Sequence, residues 1–114
     1  MISADAVRSL GALAQEHRLA AYRLLVQAGP DGMPAGALAE ALGVPASSMS
    51  FHLAQLLHAG LVTQRRQSRS LIYAADFEAM NGLMAFLTEN CCGGQACTPL
   101  AQYAPEIVQQ KGAA

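Results

Sequence analysis

Residues 38–62 read LAEALGVPASSMSFHLAQLLHAGLV, and two helices joined by a very short link are legible in them. Leu38, Ala41 and Leu42 recur at helical spacing and Gly43 stops the run. This predicts a helix over 34–42 with Pro34 in its first turn. Pro45 opens the next helix, expected over 46–59 and ended by Gly60. Joined through Gly43-Val44, the pair has the layout of a helix-turn-helix. On a helical wheel Met49, Leu53, Leu56 and Leu57 share one face of the second helix. Ser47, Phe51, Gln55 and His58 point the other way, flanked by Ser48 and Ser50, with His52 at the edge. An apolar inner face with a small, polar outer face suits a helix that enters a major groove. Small hydroxyls let the backbone approach, and Ser, Gln and His can bond base edges or phosphates. An ordinary amphipathic helix with a solvated side carries the same pattern, and His52 can equally touch a phosphate or pack.

Outward from that core, the downstream chain runs Leu61 to Arg66, then a polar hinge at Gln67-Ser68, then Ser70 to Tyr73. Two β-prone runs around a short connection predict a hairpin. Arg65, Arg66 and Arg69, three of the seven basic residues, fall on it. Such a wing can follow phosphates or enter a minor groove; exposed arginines also serve solubility alone. Asp76 is expected to cap a fifth helix to about Asn90, with Phe77, Met80, Leu83, Met84 and Leu87 on one stripe. Upstream, Ser3 is expected to cap a first helix over about 4–15, whose apolar positions are Ala6, Val7, Leu10, Leu13 and Ala14. A second helix, about 17–28, ends at the turn Gly29-Pro30-Asp31-Gly32. The fold class expected is mostly α with a small β-hairpin: a winged helix-turn-helix of about five helices plus a wing.

Composition agrees. The chain of 114 residues is one domain in size. Hydrophobic residues make up 53% and aromatics only 5%, an Ala- and Leu-rich balance that favours helices over a β-sandwich. The formal net charge of −1 excludes a chain coated in cations, so nucleic-acid binding has to rest on the local arginine patch. No stretch approaches the ~20 apolar residues of a membrane span and no signal peptide is visible, so a cytoplasmic protein with no membrane partner is expected.

The segment Leu10 to Leu19, LGALAQEHRL, resembles the opening of the ArsR-type (ArsR/SmtB) metalloregulators. So does the stretch from Leu38 through Ser50-Phe51-His52-Leu53 to Ala59-Gly60-Leu61-Val62, and the resemblance spans about residues 4–90. It implies a winged-helix repressor that binds double-stranded operator DNA as a homodimer. Its first and fifth helices would pack against their mates and its fourth would lie in the major groove. Glu16 and Phe51 depart from the pattern, since the commonest members carry a proline and a polar or basic residue there. The DNA-binding residues expected are Ser47, Ser48, Ser50, Phe51, His52, Gln55, Arg65, Arg66 and Arg69. Pairing also follows from the physics, because one winged helix makes few phosphate contacts while two read half-sites about one helical turn apart.

All three cysteines, Cys91, Cys92 and Cys97, fall within one short segment. That is too tight for a disulfide framework. Adjacent thiols on a continuous helix diverge by about 100°, so both can face one ion only if the helix has ended. Gly93-Gly94 can end it and fold Cys97 back to the same locus. A closed zinc site wants four ligands, and Glu89 and Asn90 are poor partners for three sulfurs. A three-sulfur set suits a soft trivalent metalloid whose lone pair fills the fourth direction, As(III) or Sb(III). Arsenic sensors with a Cys-Cys pair after the fifth helix are a variant of the family, and this chain resembles them. A winged helix-turn-helix DNA-binding domain with a C-terminal cysteine sensor site is therefore expected over 1–97, with a tail over 98–114 whose composition allows partial disorder. The rivals are a same-fold repressor that responds to oxidants or to cadmium or zinc, and a thiol enzyme. Against an enzyme, there is no Cys-x-x-Cys, no phosphate-cradling loop and no acid–base partner near the thiols.

Overall fold

Gly43 and Gly60 stop two successive helices in the same way. In the computed structural model, which describes residues 1–94, both take left-handed backbone, φ 64° and 81°. Gly43 N–H donates to the Glu40 carbonyl at 3.3 Å and Val44 N–H to that of Ala39 at 3.0 Å. Gly60 N–H donates to Leu57 at 3.0 Å and Leu61 N–H to Leu56 at 3.1 Å. Each pair of bonds is a Schellman closure, and Val44, Ala39, Leu61 and Leu56 are all buried.

The elements run α1 (Ser3–Leu13), α2 (Glu16–Ala28), a 3-10 turn (Gly29–Asp31), β1 (Met33–Pro34), α3 (Ala35–Leu42), α4 (Ala46–His58), β2 (Val62–Gln67), β3 (Ser70–Ala75), α5 (Phe77–Leu87) and a second 3-10 turn (Cys91–Gly94). The antiparallel sheet has the order β1-β3-β2. β2 meets β3 from Val62↔Ala75 to Gln67↔Ser70, and β1 adds Met33↔Tyr73 and Pro34↔Ile72. This is a winged helix-turn-helix with α3 and α4 as the motif and β2–β3 as the wing. The chain divides into two compact units, residues 1–83 and 84–114. The first holds the core: Ala21, Tyr22 and Leu25 of α2, Leu38 of α3, Met49, Leu53 and Leu56 of α4, then Leu61, Val62, Tyr73 and Ala75.

Several local expectations are corrected. The sheet has three strands, because Met33-Pro34 pairs with β3 and leaves Pro34 just ahead of α3 instead of in its first turn. The hairpin turns at Ser68-Arg69, one residue later than Gln67-Ser68, since Gln67 still pairs with Ser70 and Ser68 takes φ 59°. Ser3 is the first residue of α1 and caps nothing; Ile2 precedes the helix with no side-chain cap. α2 opens one residue early, at Glu16, because the Gln15 side chain accepts from Arg18 N–H at 2.9 Å. Asp76 does cap the fifth helix, accepting from Ala79 N–H at 3.1 Å.

Gly32 joins the first 3-10 turn to β1 at φ 70° and ψ −163°, a region that only glycine occupies readily. A Cβ there would collide with the Tyr73 carbonyl. Gly36, inside α3, has open space around it. Gly32→Ala should therefore lower unfolding free energy by about 2 kcal/mol or more. Gly36→Ala should raise it by about 0.4–1 kcal/mol, by restricting the unfolded chain. Urea unfolding of both variants beside the parent checks the pair.

Candidate nucleic-acid interface

Met49, Leu53 and Leu56 form the inner edge of α4 and are fully buried. Each is worth about 1.5–3 kcal/mol of transfer free energy, so turning the helix about its axis would cost several such contributions. The opposite row is thereby held outward: Ser47, Ser50, Phe51, Gln55 and His58 are exposed, and Ser48 and His52 half-buried. α4 contains no aspartate or glutamate, so nothing on it repels a phosphate backbone. Leu57, expected with the inner face, is instead exposed. It lies at the margin of an apolar sector narrower than the wheel suggests.

His52 has a more elaborate setting than its position on the wheel implies. Its Nδ1 lies 3.5 Å from Nη1 of Arg18, and the His17 ring centroid is 5.6 Å away. Arg18 is fixed in turn, its Nε donating to the Ala12 carbonyl at 2.7 Å. Burial, then Arg18, then His17 push the His52 pKa below the ordinary histidine value. A neutral ring with its proton on Nε2 accepts from the guanidinium. Phe51 also meets His52, edge to face with ring centroids 5.8 Å apart. No sequence pattern announces this cluster, because its members come from helices 34 residues apart in the chain.

On the wing, Arg65 Nη2 donates to the Asp31 carbonyl at 3.0 Å, which ties β2 to the turn before β1. Gln64 Nε2 donates to Tyr73 Oη across the strand pair at 2.7 Å. Arg66, opposite Leu71, and Arg69, in the hairpin turn, are exposed. Among the described residues no ion pair neutralises them.

The cysteine segment belongs to the second unit. α5 ends at Leu87, earlier than the expected Asn90, and the chain turns through left-handed backbone at Asn90 (φ 55°), Cys92 (φ 58°) and Gly93 (φ 69°). Cys91 N–H donates to the Thr88 carbonyl at 3.0 Å. The break therefore precedes the cysteines, where the glycines alone were expected to supply it. The Cys91 and Cys92 sulfurs stand 3.6 Å apart. Cys97 and the tail over 98–114 lie outside the described residues. Among the described residues, no three His, Cys, Asp or Glu side chains gather as a metal site, and no helix is long and apolar enough to cross a membrane.

A helix-turn-helix domain family matches residues 13–65. The chain is 33% identical over 69 residues to the HTH-type transcriptional regulator YgaV of Escherichia coli K12, covering 60% of this chain and 70% of that protein. Among solved structures it is similar to HlyU from Vibrio cholerae N16961, with 31% identity and TM-score 0.62 over 79% of this chain and 95% of HlyU. It is also similar to the homodimeric winged helix-turn-helix DNA-binding domain of Mb0332 from Mycobacterium bovis, described as a possible ArsR-family transcriptional regulator. There the identity is 25% and the TM-score 0.60, over 82% of this chain and 87% of that one. YgaV is named as a regulator of transcription and Mb0332 as a possible one.

The His52 setting has a consequence in acid. A histidine whose folded-state pKa lies below its unfolded value, about 6.5, leaves the unfolded chain binding more protons as pH falls past that value. The stabilisation is complete above that pH and is lost on acidification. The thermal midpoint should fall between about pH 7.5 and about pH 5.5, and His52→Gln should reduce the fall. An equal fall in both proteins would remove His52 from the account.

Proposed function

Because the chain belongs to the ArsR/HlyU-like family of winged-helix transcriptional regulators, we propose that it is a cytoplasmic, homodimeric repressor of operator DNA, released when As(III) or Sb(III) is captured by Cys91, Cys92 and Cys97. α4 supplies the groove-entering face, with Ser47, Ser48, Ser50, Phe51, His52 and Gln55 toward the bases and adjoining phosphates. Arg65, Arg66 and Arg69 set the wing against the backbone, with Arg65 held by its bond to Asp31.

A second copy has a surface to meet. On α1, Ala6 and Ser9 turn inward, while Val7 is 66% and Leu10 43% exposed, with Gly11 and, just past the helix, Ala14 also exposed beside them. That row recurs at helical spacing and is apolar or small throughout, as a helix-packing seam requires. Met84 and Leu87 present a second exposed apolar pair on α5.

The observation that carries the sensing half is the sulfur pair. Two thiolates sharing one atom at a bond length of about 2.3 Å stand roughly 3.5–4 Å apart. Cys91 and Cys92 stand at 3.6 Å. The left-handed turn at Cys92 brings neighbouring side chains together where a helix would splay them. Capture is redox-neutral: arsenous acid, As(OH)3, exchanges three As–O bonds for three As–S bonds, and each hydroxyl leaves as water with a thiol proton. A three-sulfur set leaves the metalloid's lone pair in the fourth direction, where zinc would want another ligand. Ordering the segment after α5 would shift the two recognition helices relative to each other, with coupling of about 5- to 150-fold in affinity.

Fluorescence anisotropy on a duplex carrying the operator tests this. Arsenite and antimonite should weaken binding of the reduced protein within that range, with cadmium and zinc run in parallel. Cys91→Ser, Cys92→Ser and Cys97→Ser should each bind DNA normally and stay bound when arsenite is added. Release of all three variants would overturn the sensing half. In a salt titration without inducer, Arg66→Ala and Arg69→Ala should each lower the log–log slope by about 1 for every phosphate left without its arginine. Unchanged slopes would remove the wing from the interface.

A further inference from the structure

Phe51 occupies the centre of the outer row of α4, with Ser47 one turn before it and Gln55 one turn after. It is 58% exposed, although the row around it is otherwise small or polar. The ring fills no gap in the core. Its contact is with the half-buried His52, edge to face at 5.8 Å. His52 is itself lodged against Arg18 and His17, so the ring stands on a fixed base. A face with no acidic residue, next to a wing of exposed arginines, fits one kind of occupant, duplex DNA. The apolar feature that a major groove offers is the 5-methyl group of thymine.

We infer that Phe51 is a specificity-determining residue that packs against a thymine methyl in each operator half-site, in place of the hydrogen bonds its neighbours make. The inference rests on α4 being the groove-entering helix, as proposed above. Ser47 and Gln55 bracket the ring on the same row, so the thymine lies within the stretch of groove that those two side chains reach. Gln55 is suited to a bidentate pair with adenine. A-T pairs at these neighbouring positions would then be selected by two different means, a methyl contact and a hydrogen-bond pair.

The test uses the full-length reduced protein and a duplex selected by it from a random pool. Each thymine of one half-site is replaced in turn by deoxyuridine, which removes the methyl group and leaves every hydrogen-bonding atom in place. At one position the replacement should weaken binding by about fourfold, the value of one buried methyl-sized group. Phe51→Ala should bind the parent duplex more weakly and be indifferent to uracil at that position. Phe51→Leu, still apolar, should keep part of the discrimination. Because Phe51 is exposed, both variants should fold, and their far-UV circular dichroism should match the parent. If the parent retains a duplex yet no uracil costs it more than it costs Phe51→Ala, the methyl contact is overturned and the DNA-binding assignment stands. If no duplex is retained at all, both fall.

Discussion

The arrangement depends on how α4 is held. Met49, Leu53 and Leu56 have no contact with water, and a left-handed glycine closes the chain immediately before the helix and again after it. The inner edge prevents rotation about the axis, and the two closures fix where the helix can begin and end. Outward projection of Ser47, Phe51 and Gln55 is then a consequence of packing and needs no interaction of its own. This explains how a modest core, with few aromatics to fill it, can still present a rigid reading surface.

Much of this was legible because it is written locally. Gly43, Gly60, Pro45 and the spacing of the leucines mark both helices of the motif to within a residue or so, and Asp76 marks the start of α5. What escaped is non-local or too short to carry a pattern. β1 is two residues long, with no room for alternation, and it exists only because β3 lies beside it. Gln15 caps α2 although glutamine is not among the usual capping residues, and Ser3, which is, caps nothing. The Arg18–His52–His17 cluster links two helices that the chain order keeps far apart. On α1, periodicity marked Ala6, Val7, Leu10 and Leu13 alike as apolar. It could not tell the inward-facing Ala6 from the exposed Val7 and Leu10, because the helix carries more apolar positions than one core can cover.

At the cysteines the helix break was expected from Gly93-Gly94, and it arrives earlier: α5 is over at Leu87 and the first left-handed residue is Asn90. Asparagine tolerates left-handed backbone better than most side chains, so the turn can form ahead of the glycines. Cys92 also takes left-handed φ, a conformation that costs a side chain with a Cβ of order 1–3 kcal/mol. The two adjacent sulfurs lie side by side only because the backbone accepts that conformation.

The bond from Arg65 to the Asp31 carbonyl gives the wing a fixed pivot. β2 is also paired along β3, which is paired to β1, so the hairpin is tied to the loop that leads into α3 at two separate places. The hairpin and the turn before β1 are therefore held to each other as one piece. How far Arg66 and Arg69 extend is set by the β2–β3 pairs beyond that tie, Arg66↔Leu71 and Gln67↔Ser70, so one more pair added there would carry the charges outward while leaving the tie itself intact.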